Sequence, residues 1–151
     1  MKKTFFSFWV VLMVLLTGCS FLGESATTSP TKLQIKKCQN MMHLNSSDEI
    51  VPLGYMLSGF QGFYCLYKFK TGATELQDVF DKEFVDTSKF KSGFILHTEL
   101  GGGIEWWNIK NKELFGGVIS LNSPQQWPAM TVGAEKTDDG FIVYVFYDNM
   151  H

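Results

Sequence analysis

From Phe63 to Lys70 the chain reads FYCLYKFK, placing Phe63, Cys65, Tyr67 and Phe69 on one side of an extended backbone and Lys68 and Lys70 on the other. Successive side chains of a strand point to opposite faces, so this spacing predicts a half-buried β-strand. Just downstream the period changes. Thr74-Glu75-Leu76-Gln77 matches a capping box, and Leu76, Val79, Phe80 and Phe84 recur at helical spacing, with Glu75, Asp78, Asp81 and Lys82 on the wet side. This predicts a helix that closes one face of a sheet. After Asp86-Thr87-Ser88 the short-strand pattern returns at 93–100, 104–109, 114–121, 130–136 and 141–148. Asp138-Asp139-Gly140, together with Thr137, marks a hairpin loop between the last two, and Asn111 with its lysine neighbours marks a turn. Short connections between successive strands imply antiparallel pairing. The expected fold class is therefore α+β: mainly an antiparallel β-sheet meander with one packed helix. Residues 39–59 show no clear period beyond a polar loop at Asn45-Ser46-Ser47-Asp48, and read as a short helix or an irregular edge.

The aromatic positions conflict with a sheet that has one wet face. If 104–109 is a strand, Trp106 and Trp107 cannot enter the same core, because neighbours diverge. Phe63 and Tyr64 repeat the conflict, and in the last strand Phe141, Val143, Val145 and Tyr147 oppose Ile142, Tyr144 and Phe146. Either both faces are covered, by the helix on one side and by 39–59 on the other, or one face presents aromatics to a partner. Each large aromatic buries about 150 to 250 Å², so several left exposed would be sticky unless something binds there. Trp127-Pro128, in a loop that also holds Pro124, adds a residue at the rim. Trp106, Trp107 and Trp127 are thus candidate binding residues, with core or edge packing as the competing reading.

The amino terminus has a different layout. Met1-Lys2-Lys3 is basic, Phe5 to Leu16 is apolar apart from Ser7, and the run ends in Leu16-Thr17-Gly18-Cys19. That is the order of a secretory signal. Counted generously from Phe5 to Leu22, the apolar stretch only touches the lower end of the spanning range of about 17 to 25 residues. The tetrad resembles the lipobox of bacterial prolipoproteins. The resemblance implies that residues 1–18 are a signal peptide, that cleavage follows Gly18, that the Cys19 thiol carries a diacylglyceryl thioether, and that the new amino group is acylated, for instance with palmitate. Two or more chains on one residue anchor stably in a lipid bilayer, where a single chain is marginal. Ser20 follows the acceptor; by resemblance to enterobacterial lipoproteins, the absence of aspartate there favours the outer membrane, facing the periplasm. Residues 19–32 (CSFLGESATTSPTK) are polar and small, which reads as a flexible tether, leaving 33–151 as a single α+β domain.

Once residues 1–18 are removed, Lys2 and Lys3 leave the charge count, and eleven lysines face fifteen acids for a formal net charge of −4. There is no arginine in the chain. Arginine's planar fork is the usual grip on phosphate and on guanine edges, so its absence from an acidic chain argues against nucleic acid. With Cys19 acylated, Cys38 and Cys65 remain. An oxidising compartment favours a disulfide between them, and two separate buried thiols are the alternative. No CxxC occurs, and His43, His97 and His151 are scattered, so neither metal nor cofactor is expected. Gly101-Gly102-Gly103 lacks the lysine and hydroxyl of a phosphate loop and reads as a turn. Asp78, Asp81, Glu83 and Asp86 read as a solvated face, and His97 has no identifiable catalytic partner. The expected function is an envelope-anchored lipoprotein that acts as a non-enzymatic protein-binding module of inhibitor, immunity or assembly-accessory type. The competing expectation is a small-molecule or glycan site, possibly hydrolytic, where Trp106 and Trp107 stack on a sugar and Glu105 or Asp148 polarises a hydroxyl.

Overall fold

A computed structural model of the chain describes residues 25–45, 49–59, 62–96, 103–121 and 128–149. The signal segment 1–18, Cys19, His97, Gly101, Gly102 and Trp127 lie outside the described residues. Seven strands form one antiparallel sheet: β1 Ser25–Thr27, β2 Ile50–Ser58, β3 Phe63–Thr71, β4 Lys91–Phe94, β5 Leu114–Ser120, β6 Ala129–Thr137 and β7 Gly140–Asn149. Among the described residues there is one α-helix, α1, at Lys32–Met41. The fold is α+β in the broad sense, with the sheet dominating.

The strand order is β1-β2-β3-β7-β6-β5-β4. This is two meanders rather than the single one expected: β1 to β3 runs inward from one edge, β4 to β7 runs inward from the other, and β3 pairs with β7 from Phe63↔Asn149 to Thr71↔Phe141. The two strands with apolar residues on both faces thereby take the centre. The short strands β1 and β4 take the edges, where fewer backbone groups are left for stray pairing. Between β6 and β7 the hairpin turns on Asp138-Asp139 alone, with Thr137 paired to Gly140 inside the ladder. Gly140 has φ +134, a conformation that disfavours any side chain.

Both faces of the sheet are covered, one by the anticipated segment around Leu76–Phe80 together with α1, the other by 104–109 in place of 39–59. On the first face, Tyr55, Cys65, Tyr67, Phe69, Val143, Val145, Tyr147, Met130, Val132 and Ile119 pack under α1 and the segment 76–90. On the second, Met56, Leu66, Leu114 and Tyr144 pack under Leu96 and the segment 104–109. Residues 39–59 cover nothing on that second face. They finish α1, bridge Leu44 to Phe80, and enter the sheet as β2.

Two sequence expectations are overturned here. The helix expected over 75–84 is a short 3-10 turn at Leu76–Asp78 followed by turns. Its apolar positions do bury, at Leu76, Val79 and Phe80, while Phe84 stays half exposed and stacks on His43. The helical ladder is absent because its groups are used elsewhere: Asp81 N–H donates to His43 O (2.7 Å), Val79 O accepts from Asn45 N–H (2.9 Å), and Asn45 Nδ2 donates to both Asp78 O and Phe80 O. The tether expected over 19–32 is also shortened. β1 pairs with Tyr55–Leu57, and Thr31 caps α1 in a reciprocal box with Gln34. Backbone pairing with the open edge of β2 needs no apolar side chain, which is why a polar composition conceals it.

Candidate functional site

The strand expected at 104–109 is a chain of turns. Trp107 N–H donates to Ile104 O (3.0 Å), Ile109 N–H to Trp107 O (3.0 Å) and Lys112 N–H to Ile109 O (3.1 Å), and Asn111 closes the segment at φ 62. A turning backbone does not send neighbours to opposite faces. Trp106 and Trp107 therefore lie on the same face of the sheet, edge to face with ring centroids 5.8 Å apart.

Beneath this face a row crosses the strands in which glycines flank Lys68 and Tyr144, and Gly54 and Tyr144 of that row seat the two indoles. The register aligns Gly54 of β2, Lys68 of β3, Tyr144 of β7, Gly133 of β6 and Gly116 of β5. A β-carbon at Gly54 would run into the Trp106 indole, one at Gly133 would meet Leu96 and Leu114, and one at Gly116 would meet Phe94 2.8 Å away. Glycine in a strand interior often marks a close approach of this kind. Trp107, only 5% exposed, stands edge to face on Tyr144 at 5.7 Å. Its indole N–H has no hydrogen-bond partner among the described residues.

Four polar side chains tie the segment down. Lys68 Nζ donates to Trp106 O (3.0 Å) and Asn108 Oδ1 (2.8 Å), and lies 5.1 Å from the centre of the Tyr144 ring. Lys112 Nζ bonds Glu135 and Tyr144 Oη, and sits 5.5 Å from the same ring centre. Tyr144 is thus held by two ammonium groups, an arrangement that the ring's negative face favours. Burial, reinforced by nearby Lys112, pushes the Lys68 pKa down, and burial raises that of Tyr144. Burial also opposes the charge on Lys112, but its bonds to Glu135 and Tyr144 win and raise its pKa. These groups spend their hydrogen bonds on one another and on the 104–112 backbone, so the cluster acts as a clasp. The sequence placed Lys68 on a polar face, Tyr144 among the conflicting aromatics and Lys112 beside a turn, but joined none of them to one another or to Glu135; the glycines at strand-interior positions were the available signal.

Two clefts among the described residues lie elsewhere. One of about 600 Å³ opens at the β6–β7 hairpin end, lined by Glu49, Val51, Lys70, Thr71, Gly72, Ala73, Thr74, Asp78 and Asp139, and a neighbour of about 310 Å³ shares Asp139. Lys70 pairs with Asp139 at 2.7 Å, and that bond, with a second from Thr137, holds the Asp139 carboxyl below the usual range. Trp106, Trp107 and Glu105 line neither cleft. Glu105 is exposed, and Asp148 of β7 lies at the far end of the tryptophan-bearing face, opposite Tyr64 and Ala129. Asp78 and Asp86 pair with Lys82 (3.0 Å) and Lys89 (3.3 Å) in solvent. Among the described residues no three His, Cys, Asp or Glu side chains gather as a metal site would require.

Cys38 of α1 and Cys65 of β3 are both fully buried, with their sulfurs 3.8 Å apart and unbonded. Large apolar side chains remain exposed at Ile95 (70%), Val118 (67%) and Phe115 (40%), all on or beside β4 and β5. Comparison of the chain with known protein families, with characterised proteins and with solved structures finds no match.

Proposed function

We propose that this protein is a lipid-anchored envelope protein that serves as a non-enzymatic protein-binding module, joined to the bilayer through Cys19 and facing the periplasm. The support for the anchor is the order of basic start, apolar run and LTGC tetrad. The observation that carries the binding role is the apolar surface at one end of the sheet. β4 pairs with β5 only between Leu114 and Gly116, and does not extend along Gly117–Ile119. Val118 and Phe115 fall on opposite faces there, and Ile95 follows β4, so exposed apolar groups wrap round this edge. Among the described residues no strand pairs with β5 along Gly117–Ile119 on that side, and such an edge, flanked by apolar side chains, suits an extended segment of a partner protein, with main-chain hydrogen bonds supplying affinity and side-chain contacts selectivity. Trp127, in the connection that leaves β5, is the tryptophan retained for recognition.

Trp106 and Trp107 are assigned to structure in this reading. The glycan or hydrolytic alternative relied on those indoles, and the seat on Gly54 and Tyr144 occupies the surfaces a sugar would need.

Two experiments test the proposal. Metabolic palmitate labelling should mark the wild type and spare Cys19→Ala; equal labelling of both would remove the anchor. A photocrosslinking amino acid at Val118 or Ile95, installed in cells, should trap one discrete envelope protein, whereas the same group at Leu33, exposed on α1, should not. Absence of any adduct at Val118 and Ile95, or the same adducts at Leu33, would overturn the assigned surface.

A further inference from the structure

Helix α1 is weakly built. It has ten residues, with no acid in its first turn and no base in its last, and Cys38 is its one buried side chain. An isolated helix of this length is marginal in water and depends on tertiary packing. Leu33, the obvious apolar anchor in its sequence, points to solvent. What α1 sets against the sheet is chiefly one sulfur, assisted by Met42 at its C-cap and by Lys37 over the Phe63 ring. Across from that sulfur stands a second one, Cys65, near the start of β3 between Leu57 and Tyr147.

We propose that Cys38 and Cys65 form a structural disulfide site, closed by an external disulfide and serving to fasten α1 to the sheet. A bonded pair lies about 2.05 Å apart, so closure from 3.8 Å asks roughly 1 Å of each sulfur, within reach of small side-chain rotations. The chemistry balances with a small-molecule disulfide or an oxidoreductase disulfide as oxidant. One thiolate attacks the external bond and releases one thiol; the second protein thiolate then attacks the mixed disulfide and releases the other. Two S–H bonds are lost, one S–S bond forms, and the two electrons and two protons leave as two external thiols.

The surroundings decide when this happens. The contact with the Cys65 sulfur, together with burial, pushes the Cys38 thiol far above its usual value, so Cys38 in the packed protein carries almost no thiolate. Tyr55, raised to about 12 by burial and then by the two cysteines, belongs to the same dry shell. Exchange therefore belongs to folding, before α1 has docked. Once closed, the bond is sealed from reductants by the packing that surrounds both sulfurs. This makes it a permanent staple rather than a switch.

The test uses the full chain reduced, unfolded and refolded in a glutathione redox buffer, then denatured and alkylated without reductant. Cys38 and Cys65 should resist alkylation and appear as one linked peptide pair on mapping, two hydrogens lighter than the dithiol. Thermal unfolding with a strong reductant should then occur lower by on the order of 10 °C, and this reductant effect should vanish in Cys38→Ser and Cys65→Ser alike. Alkylation of both cysteines, glutathione adducts without the internal bond, or linkage to Cys19 would overturn the proposal. The assay does not depend on where the chain resides, so its failure leaves the envelope anchor standing. Failure of palmitate labelling likewise leaves the cysteine pair untouched.

Discussion

Trp107 is buried and packs edge to face against both Trp106 and Tyr144. Trp107→Ala should lower the unfolding free energy by about 3 to 5 kcal/mol, read from the urea midpoint, because the segment above it relaxes only in part. Gly54→Ala should cost about 1 to 3 kcal/mol through displacement of the Trp106 indole, with a red shift in tryptophan emission as the independent readout. Among the described residues, His43 is the histidine whose titration bears on stability near neutrality. Burial lowers its pKa, with Asp81 opposing. The neutral ring is thus favoured in the folded state. Its contribution to stability is complete above an unfolded value of about 6.5 and is lost as pH falls through the lower folded value. His43→Asn, which tolerates the positive φ of 50 at this position, should remove that part of the decline. The difference in urea midpoint between the two proteins from pH 8 to pH 5 isolates it from the other histidines.

At the scale of elements, the segment 76–90 shows how tertiary bonds displace local preference. Its capping signal and helical spacing are real features of the sequence, and its apolar side chains do reach the core. The helix fails because Asn45 and His43 capture the carbonyls and the amide that the ladder would use. Asn45→Ala removes two side-chain bonds and leaves the carbonyls of Asp78 and Phe80 partly unsatisfied. The expected loss is about 1 to 3 kcal/mol by urea unfolding. An unchanged midpoint would show that those bonds do not hold the segment in place. The 104–109 segment follows the same logic in reverse: its apolar run suits a strand, but Lys68 fixes the Trp106 carbonyl from below and the chain turns over the glycine row instead.

For the whole molecule, the sheet resembles a wall packed on both sides, with apolar side chains exposed at one end among the described residues. Its first described element is β1, which the composition conceals. A chain starting at Ser25 should match the full domain in stability. One starting at Leu33 lacks β1 and the Thr31 cap; it should lose about 1 to 2 kcal/mol and gain a tendency to associate through the bared edge of β2. Equal urea midpoints and equal sedimentation for the two would count against the place of β1 in the domain.

Features that depend on near neighbours in the chain were legible beforehand. Alternation in 63–70 and 141–148 assigned side chains to faces correctly, because the two-residue period is a property of the extended backbone itself. The Asp-Asp-Gly signal marked the hairpin through the conformational freedom of Gly140. The capping box at Thr31 to Gln34 was equally present in the sequence, yet α1 buries so little that no apolar stripe pointed to it. Strand order, the shared face of Trp106 and Trp107, the clasp around Tyr144 and the meeting of Cys38 with Cys65 were settled only in three dimensions. They depend on contacts between groups distant in the chain, such as Cys65 with Tyr147 and Lys68 with Asn108. Backbone donors and acceptors go to whichever partner the packed chain brings near, and the local pattern does not encode that choice.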